Sequence, residues 1–168
     1  MHESQVINDS GKPLFWRILP DILAFAGGLG VAYFLKWDTT DLVWCLWLCS
    51  LVLGYLTLLS ALGGGAYLGF HIINHQDFKK EWRLRALFMG FILGIFFLGF
   101  FSLHFGGFHA GHSVFLQQFF PVAGLPDDGF SAAFTNPLLL WSLTFQHLMM
   151  PYGLFLIPAI IAERHHIL

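Results

Sequence analysis

Long runs of apolar residues fill most of this protein and constrain its fold more than any other feature. The 168 residues have a mean hydropathy of +0.68, and only 11% of them are charged. Phenylalanine alone occurs 20 times. A water-soluble domain of this size cannot bury so many apolar side chains in its core. The composition therefore predicts an integral membrane protein.

Four of the apolar runs are long enough to cross a bilayer, which takes about 20 residues of helix. Backbone polar groups in lipid must bond within their own helix, so we expect an all-α integral membrane fold with four transmembrane helices in a single multi-pass domain over residues 1–168. The expected spans cover residues 18–36, 42–72, 86–106 and 137–162. Gly63–Gly65 leave open whether the second helix continues or ends in an interfacial segment.

The distribution of basic residues predicts the orientation of these spans. With four spans, seven of the eight Lys and Arg residues fall on one side and Lys36 falls on the other. The seven are Lys12, Arg17, Lys79, Lys80, Arg83, Arg85 and Arg164. We therefore expect both termini on the cytoplasmic side of a bacterial inner membrane. The sequence opens with His2, Glu3 and Asp9, which is not the pattern of a signal peptide, so we expect the first span to be retained as an anchor.

The connection after the third span predicts a short amphipathic helix over residues 108–120, which either rests on the outer surface of the membrane or dips into it. His109 and His112 share one face at i,i+3 spacing, and phenylalanines occupy another face. Pro121 ends the pattern.

Histidines are the main chemical lead, since nine of them occur in the sequence. His104, His109 and His112 lie together on the outer side, where three imidazoles could share a metal ion. His147 lies about ten residues into the fourth span, and an ionisable group at that depth is a functional candidate. These four are the expected cofactor-binding residues, with haem, a (bacterio)chlorophyll or a metal ion as the alternatives. We expect the first three to act together and His147 to be hydrogen-bonded inside the bundle. The alternative is a purely structural role for all four.

A second histidine group lies on the cytoplasmic side and comprises His71, His75, His165 and His166. Membrane di-iron enzymes cluster their histidines on one side, and the division here between two sides disfavours that chemistry. A zinc site in this group remains an alternative.

The function we expect is that of a small accessory or structural subunit of a larger membrane complex, of respiratory or photosynthetic type. No nucleophile motif, phosphate-binding loop or dinucleotide fingerprint is present, so an enzyme is disfavoured, and no basic face indicates nucleic acid. Gly90 and Gly94 have the spacing that lets two helices pack closely. The expected partners are membrane lipids and other membrane subunits or a second copy. The alternative function is a membrane cofactor-binding protein that uses the outer histidines and His147.

Three segments together resemble a family of uncharacterised bacterial multi-pass membrane proteins, classified as a domain of unknown function. The segments are Trp37–Trp44 leading into Leu51–Gly54, then Phe108–Phe115, then Gln146–Gly153. The resemblance implies a multi-pass fold with a histidine-bearing segment after the third span, and it implies no activity, cofactor or catalytic residue.

Overall fold

The computed structural model describes residues 14–74 and 79–164, and every regular element within them is helical. The helices are α1 (Leu14–Phe34), α2 (Thr39–Ile73), α3 (Lys80–Phe119), α4 (Pro137–His147), α5 (Met149–Tyr152) and α6 (Leu156–Ala162). Short 3-10 turns cover Ser131–Ala133 and Gly153–Phe155. Helix α1 packs against α6, and α2 packs against α3.

Helix α2 begins at a capping box and does not stop at its glycines. The Asp38 side chain accepts a hydrogen bond from the Asp41 N–H at 3.1 Å, and the Asp41 carboxylate accepts one from the Asp38 N–H at 3.0 Å. The helix then continues through Gly63–Gly65 to Ile73. Where lipid offers no other hydrogen-bond partner, the low helix propensity of glycine does not end a helix. This answers the question that the sequence left open.

Helix α3 is one unbroken helix of 40 residues, about 60 Å long. The expected separate outer helix over residues 108–120 is therefore wrong, because these residues form the last turns of α3. Two consecutive glycines, Gly106 and Gly107, favour a break there in the sequence. Their role is close packing: a Cβ on Gly107 would lie 2.8 Å from the backbone oxygen of Phe134.

The last apolar run is bent by 61° between residues 137–147 and 149–162. Pro151 explains the bend, since it has no N–H to donate to the carbonyl of His147 and its ring clashes with that carbonyl. By length and composition, two helices of the described residues, α2 and α3, are able to cross a membrane, or three if the bent pair counts as one span. The apolar part of α1, Ile18–Phe34, is shorter. The expected four spans are thus not confirmed.

Two tryptophans of α2 form the centre of the core. Trp44 is 0% exposed and Trp47 is 3% exposed, so neither belongs to the belt at the membrane surface that tryptophans near span ends commonly form. The Trp44 indole N–H donates to the Phe120 backbone oxygen at 2.8 Å. The Trp47 indole N–H donates to the His109 backbone oxygen at 3.2 Å. These bonds join α2 to the C-terminal end of α3.

Buried polar side chains of α3 fasten the connection between α3 and α4. The Ser113 hydroxyl donates to the Ala110 oxygen at 2.6 Å and accepts from the Phe130 N–H at 2.8 Å. The Gln117 amide donates to the Val122 oxygen and accepts from the Val122 N–H, at 3.3 and 3.1 Å. Phe130 is fully buried as a result. The connection is therefore a packed layer over the core.

The residues that follow the bend return to the start of α2 and to α1. The Tyr152 hydroxyl donates to the Asp41 carboxylate at 3.0 Å, and the Trp37 ring packs edge-on against the Tyr152 ring. Arg164 lies 2.6 Å from the Asp21 carboxylate, which links the end of α6 to α1. Asp41 therefore caps α2 and anchors α5 at once.

The core covers only one end of the α2–α3 pair. In the most apolar 18-residue window of α3, 0% of the residues are buried, against 33% in the window of α2. We call the parts beyond the core, residues 56–73 of α2 and 80–104 of α3, the uncovered hairpin. Nothing within the described part of the protein packs over its apolar side chains well enough to bury them.

Alanine substitutions at Gly129 and Gly124 test how closely the connection between α3 and α4 packs against α3. Its φ of +59° suits glycine, and a Cβ there would lie 2.7 Å from the carbonyl carbon and oxygen of Ser113. Gly124 has a φ of +88° but open space around it. We expect Gly124→Ala to cost about 1 kcal/mol of unfolding free energy, from the backbone conformation alone. Gly129→Ala should cost about 2–4 kcal/mol, because overpacking adds to that term. Thermal unfolding in detergent measures both, and equal losses would contradict the packing.

Tyr152 tests the link between α5 and the start of α2. Tyr152→Phe removes a hydrogen bond to a carboxylate, so we expect a loss of about 1–2 kcal/mol in unfolding free energy. Tyr33→Phe is the matched control, since Tyr33 is 80% exposed and should change nothing. Urea unfolding followed by tryptophan fluorescence reports the difference. Unchanged stability of the Tyr152→Phe variant would contradict a stabilising hydrogen bond between Tyr152 and Asp41.

Candidate functional site

The most distinctive chemistry among the described residues lies in a groove between α2 and α3, next to the core and just beyond the uncovered hairpin. The groove has a volume of about 410 Å³. Its walls are mainly apolar and aromatic, with a serine and two histidines among them. The lining residues are Val43, Leu46, Trp47, Ser50, Phe108, His109, His112 and Leu116. A concave, mostly apolar site with a few polar groups is the usual form of a small-molecule site.

His109 is the buried polar group of this groove, with only 5% of its surface exposed. Its Nδ1 lies 3.0 Å from the Phe105 backbone oxygen, and its Nε2 lies 3.2 Å from the Ser50 hydroxyl oxygen. Because a carbonyl oxygen can only accept, Nδ1 must carry a proton. In the neutral imidazole Nε2 is then the unprotonated nitrogen, and Ser50 donates to it.

Aromatic side chains hold the His109 ring in this orientation. The Phe105 ring centroid lies 4.2 Å away, and the Trp47 ring meets the imidazole edge-on at 5.5 Å. Trp47 also bonds the backbone oxygen of His109. The imidazole is therefore fixed on two sides and directed by hydrogen bonds at both nitrogens.

The structure does not bring His104, His109 and His112 together. Both His104 and His112 are exposed, with the His104 ring stacked on Phe100 and the His112 ring tilted against Phe108. Because α3 is continuous, its twist of about 100° per residue puts His104 about 140° around the helix from His109. Within residues 14–74 and 79–164, no three His, Cys, Asp or Glu side chains are placed to hold a metal ion. Metal binding by the three histidines stays a prediction without geometric support.

His147 is the last residue of α4 and is half-buried, with its ring 6.4 Å from the Phe130 ring. His147 is not among the residues that line the groove, so it does not join His109 there. Its hydrogen bonding inside the bundle stays a prediction.

The cytoplasmic histidine group falls largely outside the described residues. His75, His165 and His166 lie there, as do the first 13 residues. His71 is exposed on α2, with its ring 6.5 Å from the Tyr67 ring. The zinc alternative in that group stays a prediction.

The sequence-based interpretation does not identify a polar stripe on α3. His109, Ser113 and Gln117 recur every four residues, which places them on one helical face, and all three are buried. The spacing is readable in the sequence. It is obscured when His109 and His112 are paired at i,i+3 on a separate short helix. Ser50 gives no signal, since a single serine in an apolar helix has many roles.

The segments that resemble an uncharacterised family meet around this one region. Tyr152 of the third segment bonds Asp41 of the first, and Trp47, which follows the first segment, bonds His109 of the second. Comparison with curated proteins and with solved structures found no match. A family of unknown function (DUF6498) matches residues 17–161, which is most of the sequence. The protein therefore belongs to this family of unknown function, DUF6498.

Proposed function

We propose that the protein is a small accessory subunit of a larger membrane complex, which it joins through the uncovered hairpin. The observation that carries this proposal is the 0% burial of the most apolar window of α3. A helix that finds no cover in its own polypeptide meets either lipid or a partner. The small remainder of the protein, packed at one end, then serves to hold the hairpin at a set position.

Glycines on the hairpin favour partner helices over lipid. A Cβ at these glycines would have no neighbour within 4 Å; they are Gly63, Gly64, Gly65, Gly69, Gly90, Gly94 and Gly99. Glycine weakens a helix by about 0.5–1 kcal/mol relative to alanine and offers lipid no side chain to contact. Its advantage in a membrane is close approach of another backbone. The glycines therefore support a partner from outside the protein.

The basic residues support the location and orientation proposed for this subunit. We place it in a bacterial inner membrane, with the basic turn at Lys79–Arg85 on the cytoplasmic side. The connection between α3 and α4, which has no Lys or Arg, then lies on the outer side. With α1 and the bent α4–α6 pair crossing as well, both termini are cytoplasmic.

The double variant Gly90→Leu/Gly94→Leu tests the proposal. Native mass measurement after purification from the source membrane in mild detergent should find the unaltered protein with other subunits and this variant without them. The variant's own fold should hold or gain stability, because both positions face open space and leucine is the better helix former. Ile92→Phe enlarges an exposed side chain about 200° around α3 from Gly90 and is the control on another face of the same helix.

Two outcomes would overturn the proposal. One is an unaltered protein that purifies as a monomer with no other subunit. The other is a mass equal to several copies of this protein alone, which would assign the hairpin to self-association. Loss of partners in the Ile92→Phe variant as well would show that the whole helix surface, and not its glycine face, contacts the complex.

A further inference from the structure

We propose that Ser50 and His109 form a nucleophile–base pair that hydrolyses a carboxylic ester of a lipid in the groove between α2 and α3. This goes beyond the accessory-subunit role, because that role requires no reaction. The observation that carries it is the contact between a buried, oriented imidazole and an exposed serine. The Nε2 nitrogen of His109 lies 3.2 Å from the Ser50 hydroxyl oxygen.

The hydrogen bonds of His109 arrange its ring as a general base toward Ser50. The Phe105 oxygen, 3.0 Å from Nδ1, fixes the proton on that nitrogen, so the lone pair of Nε2 faces the Ser50 hydroxyl. A serine is a weak nucleophile until a base takes its proton, and the base is in turn oriented by a third group. Here a backbone oxygen is the orienting group. Because the proton moves directly from Oγ to Nε2, nothing has to enter between the two packed helices.

A substrate reaches Ser50 from the groove without displacing the imidazole behind it. Ser50 is exposed and lines the groove of about 410 Å³, whereas only 5% of the surface of His109 is exposed. Leu46 and Phe108 also line the groove and are exposed, so it is open to the outside. Its remaining walls are mainly aliphatic and aromatic, and they suit an acyl chain.

The negative charge that develops on the carbonyl oxygen during attack needs a hydrogen-bond donor. Backbone N–H groups beside Ser50 are bonded within α2, so the donor must be a side chain. Among the side chains that line the groove, the Trp47 indole N–H already bonds the His109 backbone oxygen. The exposed imidazole of His112 lines the same groove and has a ring N–H to donate. His112 is therefore the oxyanion donor of this proposal.

The level of the pair in the membrane selects a lipid ester as the substrate. His109 lies 24 residues beyond Arg85 on α3, which is about 36 Å of helix. Ser50 lies 23 residues before Ile73, where α2 ends, which is about 35 Å. With the basic turn at the cytoplasmic surface, which is part of the proposed function, a hydrocarbon core about 30 Å thick ends before the pair. The pair then lies at the outer interface, where the ester bonds of lipids meet water.

Water is the second reactant, and the steps balance. The Ser50 Oγ attacks the carbonyl carbon while its proton passes to His109 Nε2, and the carbonyl oxygen becomes the oxyanion that His112 meets. The bond from carbon to the alcohol oxygen then breaks, and the alcohol leaves with the proton from Nε2. Water attacks the acyl-serine and gives its proton to Nε2. The bond from carbon to Oγ breaks, the fatty acid is released, and Nε2 returns the proton to Ser50.

The first test is labelling of the purified full-length protein in mild detergent with a fluorophosphonate probe, which adds a phosphonyl group to an activated serine with loss of fluoride. Mass spectrometry should locate one label, on Ser50, and Ser50→Ala should abolish it. His109→Asn keeps a donor for the Phe105 oxygen but lacks the base, and should slow labelling by a factor of about 100 or more. Ser60→Ala, about 15 Å further along α2, is the matched control and should label like the unaltered protein.

The second test is hydrolysis of p-nitrophenyl octanoate and p-nitrophenyl acetate by the same preparations, followed by absorbance. The octanoate should have a kcat/KM roughly tenfold or more above that of the acetate, because the longer chain contacts the apolar walls of the groove. Ser50→Ala should fall to the uncatalysed rate. His112→Ala should lower the rate roughly tenfold or more through loss of the oxyanion donor.

An unaltered protein that the probe does not label at Ser50 would overturn the proposal. So would equal labelling of a His109→Asn variant that circular dichroism shows to be folded, hydrolysis that Ser50→Ala leaves unchanged, or an equal loss in Ser60→Ala. Where His109→Asn does not fold, Ser50→Ala provides the readout, since Ser50 is exposed. An unchanged rate in His112→Ala would contradict its oxyanion role, and equal rates for the two esters would contradict the groove as an acyl site. None of these results depends on a partner subunit, so they are independent of the accessory-subunit role.

Discussion

Two indole N–H groups on α2 reach backbone oxygens at the far end of α3, and the rest of the structure is arranged around those two bonds. Trp44 bonds the Phe120 oxygen at 2.8 Å and Trp47 bonds the His109 oxygen at 3.2 Å. Buried carbonyl groups must find donors, and a large aromatic side chain supplies one while filling the space between helices. The position of α2 on α3 sets the place of Phe130 between the tryptophans, and with it the path of the connection that leads to α4.

One consequence is a protein with two unlike ends. At the covered end, polar side chains of α3 satisfy the backbone of the connection, and the groove holds a buried imidazole. At the other end, the hairpin exposes apolar and glycine surface that nothing in the described residues buries. Packing at the first end fixes the direction in which the second end projects. A protein built in this way projects a helical hairpin from one packed end, and the groove lies where the hairpin leaves the core.

Much of the helical architecture is readable from the sequence, because lipid forces apolar runs into helices. The second run forms α2 with small changes at its ends, whereas the third run is only the middle of α3, which begins at Lys80 and continues to Phe119. What the sequence pattern does not show is which face each side chain meets. The tryptophans at the start of α2 match a membrane belt as well as a core, and only the contact with α3 distinguishes the two. Gly107 matches a hinge, yet its role depends on the Phe134 oxygen, which is 27 residues further along the sequence. His109 stands out as a candidate residue from the sequence, but in a group that one continuous helix does not allow.

Hydrogen exchange of the connection between α3 and α4 tests most directly whether this segment is part of the core. The protein is studied in a lipid nanodisc, and residues 120–136 are compared with α2. The structure predicts strong protection at Phe130, whose N–H bonds the buried Ser113 hydroxyl at 2.8 Å, and at Ala133, whose N–H bonds the Phe130 oxygen at 2.9 Å. Ser113→Ala should release the Phe130 amide selectively. Exchange within seconds along the whole connection would contradict the packed layer, and with it the placement of the groove and the hairpin.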